Sequence, residues 1–335
     1  MDIAVIGSNN VDLITYINRM PREGETLEAP KFQMGCGGKG ANQAIAAARL
    51  GSSVLMLTRV GNDVFAENTI ANFAANGVDT AHVLRTEASS GVAPIFVDPE
   101  GRNSILIVKG ANGLLSPEDV ADAAEDLAKT KLIVLQLEIP LETVYAAIEF
   151  GNERGIPVLL NPAPAHPELD LDRIKGCDYF MPNESELALL TGMPVENPEQ
   201  AEEAAHSLLD AGIRNIVVTL GSRGALWINE SQTKRIPAAP VAAVDTTGAG
   251  DAFIGCFSHC LVSGDDLTGG DLTGGDLTGG DLTGGDSASS DRDLAAPGDV
   301  ELALTAACRY AADSVTRLGT QTSYATREEF MAKTD

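Results

Sequence analysis

Val244-Asp245-Thr246-Thr247-Gly248-Ala249-Gly250-Asp251 runs directly into the apolar helical stretch Ala252 to Val262. Gly-Ala-Gly places small residues where a loop turns into a helix, so backbone N–H groups can approach a ligand closely and the positive end of the helix dipole faces it. Such a junction suits a phosphate. Asp251 falls in the first turn of that helix, where an acidic side chain can simply stabilise the helix terminus. It can equally take a proton from an attacking alcohol while the backbone donors hold a migrating phosphoryl group, and on this second reading Asp251 is a general base and Gly248, Ala249 and Gly250 form an anion hole.

Outward from this junction, short β-branched runs alternate with amphipathic or Ala-rich stretches, the pattern of βαβ units around a mainly parallel sheet. Strands are expected at Ile3–Ile6, Val54–Leu57, Leu132–Leu137, Val158–Leu160, Tyr179–Met181 and Ile216–Leu220, and helices near 41–50, 63–76, 116–128, 141–154 and 198–211. Gly51 and Gly77 follow helices, and Ser116-Pro117-Glu118-Asp119 combines an N-cap, a first-turn proline and two acids suited to the dipole. Two strand-rich segments break the alternation, 11–36 and 92–108, the latter a hairpin about Asp98-Pro99-Glu100-Gly101. They are expected to form a small sheet projecting from the main body as a lid.

Residues 266–285 are four copies of Asp-Leu-Thr-Gly-Gly. A five-residue period is far below that of solenoids, and the glycines offer little to pack, so 265–291 reads as a flexible acidic insert, with calcium binding as the alternative.

The chain carries 48 acidic against 23 basic residues, a net charge of −25. Nucleic-acid partners are not expected, because polyanion binding relies on clustered Lys and Arg. Such a surface keeps a protein soluble by repulsion, or adapts it to molar salt, where screening shortens to about 3 Å; the halophilic reading is preferred. No stretch approaches the roughly 20 apolar residues of a membrane span, and the N-terminus enters its first strand without a secretory signal. A cytoplasmic location is expected, and the five cysteines are expected to be free thiols. Cys256, His259 and Cys260 lie one helical turn apart, too few ligands for a metal site on their own.

Gly35-Cys36-Gly37-Gly38-Lys39-Gly40-Ala41-Asn42-Gln43-Ala44 satisfies the spacing G-x-G-x-x-G of dinucleotide sites. The context argues against a dehydrogenase, since Thr58 and Arg59 follow the next strand where an acid would be needed. It is not a Walker loop either, because Gly40 follows Lys39. A glycine-lined wall from which Lys39 and Asn42 reach sugar hydroxyls, joined by Asn10 and Asp12 after the first strand, fits better.

Gly38-Lys39-Gly40-Ala41-Asn42-Gln43-Ala44 and Asp245–Asp251 resemble, in order, the two signatures of the ribokinase-like carbohydrate kinases. The likeness continues through Gly7–Asp12, Gln136-Leu137-Glu138, Asn161–Ala165, Pro182-Asn183-Glu184 and Thr219–Gly224. It implies a three-layer α/β/α fold with a central, mostly parallel sheet and a β-sheet lid that makes a homodimer contact. It implies ATP-dependent phosphorylation of D-ribose at the 5-hydroxyl, with Asn10, Val11, Asp12, Gly38, Lys39, Gly40, Ala41, Asn42, Glu138 and Asp251 around the sugar. Asn183, Thr219, Leu220, Gly221, Ser222, Arg223, Gly224, Gly250, Asp251 and Cys308 would contact ATP, and Glu186 would hold Mg²⁺ through water. Asp245, Thr247, Ser314, Arg317, Gly319 and Ser323 would surround an activating K⁺. Cys308 departs from the His or Asn usual at its position. Related kinases of ribose 1-phosphate, nucleosides, fructose or keto-sugar acids, and a catalytically idle sugar sensor, are the competing readings.

Overall fold

The computed structural model describes residues 1–268 and 297–333. Its strands are β1 (Ile3–Ile6), β2 (Asn10–Tyr16), β3 (Lys31–Gly37), β4 (Val54–Val60), β5 (Val83–Arg85), β6 (Val92–Val97), β7 (Asn103–Ile105), β8 (Leu132–Leu135), β9 (Val158–Leu160), β10 (Tyr179–Phe180), β11 (Ile216–Thr219), β12 (Ala225–Asn229) and β13 (Gln232–Ile236). Nine of them form one sheet in the order β13-β12-β11-β10-β9-β8-β1-β4-β5, parallel except where β12 joins β11 and β13 joins β12.

β1 and β8 are apolar at every position, and β4 is apolar as far as Leu57, because both sheet faces are covered there. Ile3, Val5, Val54, Met56, Leu132 and Val134 point into a core shared with the helices Lys39–Leu50 and Ala249–Ser263. Ala4, Ile6, Leu55, Leu57, Ile133 and Leu135 point into a second core beneath the helices Leu141–Arg154 and Pro198–Asp210. Alternate residues of the same strands thus feed opposite faces. The result is three layers, helix on sheet on helix. No helix among the described residues is long and apolar enough to cross a membrane.

The segments that broke the alternation pair with each other. β3, β2, β6 and β7 form a separate four-stranded sheet in that order, with β2 and β6 parallel and the β6–β7 hairpin closed about Asp98–Arg102. Asn10 already belongs to this sheet and Gly37 ends it, one residue beyond the expected bounds on either side. Phe32, Met34 and Ile105 are exposed on it.

Several expected elements differ. The helix expected at 116–128 is two short ones, Pro117–Asp122 and Ala124–Leu127, broken at Ala123. Gln136 to Glu138 leave the β8 ladder; Gln136 and Glu138 turn toward the helix Lys39–Leu50, while Leu137 packs in the second core. The β12–β13 hairpin and the helix Glu184–Thr191 were not anticipated, because the hairpin alternates with period two on only one strand and the helix spans only two turns.

Residues 269–291 of the expected insert lie outside the described residues. The start of the expected flexible insert departs from that reading: Leu267 of the first repeat is fully buried in the core. Asp266 Oδ1 accepts from Thr268 N at 2.8 Å, a local turn that aims the leucine inward.

Candidate active site

The helix Ala249–Ser263 starts after Gly248, whose φ of +75° is left-handed. A side chain there would strike Thr320 Cγ2 at 2.3 Å and Tyr324 Oη at 2.6 Å, so glycine is required on two counts. Tyr324 Oη donates to the Gly248 carbonyl at 3.0 Å. No side chain caps this helix. The Ala249 amide donates to Thr246 O at 3.3 Å, whereas the amides of Gly250 and Asp251 have no partner among the described residues. Free amides at a dipole's positive end are an anion site in waiting.

Asp251 is buried behind them. Asn42 Nδ2 donates to its Oδ2 at 2.8 Å and Gln43 Nε2 to its Oδ1 at 2.9 Å. Both donors are themselves fixed: Gln321 Nε2 donates to Asn42 Oδ1 at 2.9 Å, and Gln136 Nε2 to Gln43 Oε1 at 2.6 Å. Each amide therefore presents its NH₂ to the carboxylate. Burial pushes the Asp251 carboxyl up, and the Lys39 charge and the two amides work against that. Gln43 stands in the glycine-rich motif Gly35–Ala44, but nothing in its spacing distinguishes it from a helix-surface glutamine.

Lys39 opens the helix Lys39–Leu50, and its backbone N–H donates to Glu138 Oε2 at 3.0 Å. Glu138 also accepts from Ser8 Oγ. Burial alone would lower the Lys39 ammonium, but Asp251, Glu138 and Glu186 together hold it above its ordinary value, so it stays charged. Asp12 lies in the same field. Burial, with repulsion from Glu138 and Asp251, raises its carboxyl to about 7. A cleft of about 180 Å³ brings Lys39, Asn183, Glu186, Thr219, Gly248, Gly250 and Asp251 to one surface, together with Asn161, Met181 and Thr246, which were given no role from sequence.

Asn183 caps the helix Glu184–Thr191 reciprocally with Glu186: its Oδ1 accepts from Glu186 N at 2.8 Å, and its own N–H donates to Glu186 Oε2 at 2.8 Å. Burial raises the Glu186 carboxyl. Leu220 is buried, the Gly221–Arg223 turn closes against Gly224, and exposed Arg223 pairs with Glu184. Val11 is wholly buried, and Ala41 N donates to Ser8 O at 2.8 Å, so these two residues pack rather than present side chains. A Cβ on Gly40 would sit 2.7 Å from Ser8 N. Cys308, expected against the nucleotide, lies in the hydrophobic core with its thiol pushed up to about 12 by burial, and it does not line the cleft.

Of the residues expected around a monovalent cation, Asp245 meets Thr247 and Gly319, Arg317 meets Ser323, and Ser314 bonds within its own helix. Asp245 Oδ2 accepts from Gly319 N at 2.9 Å and its Oδ1 from Thr247 N at 3.0 Å. Arg317 Nε donates to the Ser323 carbonyl at 2.8 Å, and Ser314 Oγ to Ala311 O at 2.8 Å. The loop before Gly248 is thus tied to the segment that follows the last long helix.

The sequence profile of the pfkB family carbohydrate kinases matches residues 1–269. This chain belongs to that family. Its relatives include the deoxyribokinase of Salmonella typhi, 56% identical over 331 residues and covering 98% of this chain and 97% of that one. The mouse (Mus musculus) ribokinase is 40% identical over 262 residues, 77% and 81% of the two chains. Among solved structures, the Arabidopsis thaliana ribokinase complexed with ribose and ATP superposes with a TM-score of 0.84 at 29% identity, covering 100% of this chain and 98% of that one. The Thermotoga maritima ribokinase gives 0.82 at 32% identity, covering 99% and 98%. The expected three-layer, mostly parallel fold is the fold of these kinases. The chain is a ribokinase-like sugar kinase, a phosphotransferase with an alcohol as acceptor.

Proposed function

We propose that this kinase transfers the γ-phosphoryl group of ATP to the 5-hydroxyl of D-ribose, with Asp251 as the general base. The observation that carries the reading is the Asp251 carboxylate, gripped by Asn42 and Gln43 beside the Lys39 ammonium and the amides of Gly250 and Asp251, which have no partner among the described residues. A carboxylate so placed can accept the hydroxyl proton as the oxygen attacks phosphorus, and amides aimed at the migrating group meet the charge that develops on its oxygens. Asn10, Asp12, Lys39, Asn42 and Glu138 hold the sugar, and Asn183 with Thr219–Gly224 borders the nucleotide. Buried Glu186 beside the cleft suits a water-mediated contact to the Mg²⁺ of ATP, which shields the triphosphate charge when bound. Asp245 and the carbonyls of the loops that meet at Gly319 are hard oxygen donors of the kind K⁺ takes, and a filled site there would brace the Gly248 turn. The exposed apolar residues Phe32, Met34 and Ile105 of the small sheet suit its closure against a second copy as lid and dimer contact.

The 56% identical deoxyribokinase favours a second reading, 2-deoxy-D-ribose as the sugar. Coupled ADP production across ribose, 2-deoxyribose, fructose, ribose 1-phosphate and nucleosides decides between them. The assay belongs in concentrated KCl, in view of the charge of −25, with Na⁺ or a bulky organic cation replacing K⁺ as control. Highest kcat/KM on ribose, falling when K⁺ is withdrawn, is expected; turnover only with a non-pentose acceptor would defeat the proposal.

A further inference from the structure

Asn9, Asn10 and Asn112 are 1%, 3% and 1% exposed, and they join the start of β2 to the turn Gly110–Leu114 that follows β7. Backbone groups fix the orientation of the Asn112 amide. Its Oδ1 accepts from Asn9 N at 3.0 Å, and its Nδ2 donates to Asn9 O at 2.7 Å. Because a backbone N–H can only donate and a carbonyl can only accept, the Asn112 side chain cannot be turned over without breaking both bonds.

The same Nδ2 donates to Asn10 Oδ1 at 2.9 Å. The atom of Asn10 facing Asn112 must therefore be its oxygen, which leaves the Asn10 NH₂ directed elsewhere. That NH₂ makes no hydrogen bond among the described residues. Asn10 and Asp12 share one face of β2, since side chains two apart in a strand point the same way. Asp12 lies against Gly37, where a Cβ would sit 2.4 Å from Asp12 Oδ2, two residues before Lys39 of the cleft. Glu138 and Asp251 also act on its carboxyl, so this face borders the cleft, beside the residues that line it.

We infer that Asn112 is a positioning residue that locks Asn10 as a hydrogen-bond donor toward the sugar, so that the site selects a substrate carrying a hydroxyl oxygen, not a methylene, at that point. This rests on the reading of the enzyme as a pentose kinase. A buried donor with no acceptor is costly, so an analogue that lacks the matching oxygen loses more than the value of one ordinary hydrogen bond.

The test compares D-ribose with its 1-, 2- and 3-deoxy analogues in the wild type and in Asn112→Asp and Asn10→Ala. Asp at 112 still accepts from Asn9 N but cannot donate, which frees the Asn10 amide to turn around. Asn112→Ala removes the donor without a buried charge should the aspartate variant fail to fold. In the wild type at least one analogue should fall by about tenfold or more in kcat/KM. In the variants that ratio should shrink to about threefold or less, with the KM for ATP at saturating sugar unchanged. A wild type indifferent to every hydroxyl, or a preference that survives in the folded Asn112 and Asn10 variants, overturns the inference alone. No turnover of ribose or any analogue, alongside activity on another acceptor, overturns the pentose reading and this inference with it.

Discussion

Asn42 Nδ2 lies 2.8 Å from Asp251 Oδ2, a bond between two helices whose partners are separated by 209 positions in the chain. With the matching bond from Gln43 it leaves each carboxylate oxygen one accepted hydrogen bond and free lone pairs. The acid is thereby oriented without being neutralised by a direct ion pair.

Asp251→Asn keeps the size of the side chain and removes its basicity. Its kcat is expected to fall by about 10² or more, the usual range for loss of a general base, while sugar affinity, measured by calorimetry, changes little. The asparagine would present an NH₂ to Asn42 or Gln43, so a modest loss of thermal stability should accompany the kinetic loss. Wild-type turnover would remove Asp251 from the chemistry.

Gly255 sits one turn beyond Asp251, where a Cβ would lie 2.4 Å from Ala46 Cβ and 2.8 Å from Gln43 O. That close approach lets the helix Lys39–Leu50 bring its two amides to the carboxylate. Gly255→Ala should therefore force the helices apart, costing about 1–3 kcal/mol as overpacking does, and lower kcat more than KM. Chemical denaturation and steady-state kinetics on the same sample check both parts; an alanine variant with native stability and turnover would show that the contact is not needed.

The sequence carried the frame and the reacting group because both leave local marks. Continuous apolar strands announced a sheet buried on both faces, and Gly248-Ala249-Gly250-Asp251 announced a ligand-binding helix terminus. The supporting shell left no such mark. Gln43, Gln136, Gln321 and Asn112 are ordinary amides in sequence, and their value arises only when the fold sets each against a group with a single permitted polarity. Cys308 was assigned by its position relative to the family alone, and such a position does not say which side of a helix faces the core. The β12–β13 edge was missed because a strand pair at a sheet margin needs little apolar periodicity.

Asp12 supplies a pH dependence. Its carboxyl is raised to about 7 from 3.8 by burial and by repulsion from Glu138 and Asp251, so the folded state prefers the neutral acid. The stabilisation from that preference is complete below about pH 4 and is lost as pH rises through about 7. Asp12→Asn should accordingly raise Tm at pH 8 relative to the wild type, by about 2–4 °C for each kcal/mol of repulsion removed. The gain should vanish near pH 4. Sugar affinity should show the opposite trend in the wild type, weakening below about pH 7 as the carboxylate acceptor is protonated, and the asparagine variant should flatten that profile.

Leu267 ties the first repeat to the core. It is fully buried in the core, against the same face of the sheet as the helix Ala249–Ser263. Removing its side chain by Leu267→Ala should cost about 2–5 kcal/mol, as for other buried leucines. Deleting 269–285 while retaining Asp266-Leu267-Thr268 should leave both stability and kcat near wild type, whereas a deletion that takes 266–268 as well should match the alanine variant in stability. Because Leu267 packs into the core and not into the cleft, kcat measured well below Tm should be preserved in all three. A loss of turnover in the 269–285 deletion at unchanged stability would assign the repeats a part in catalysis that the core packing of Leu267 does not account for.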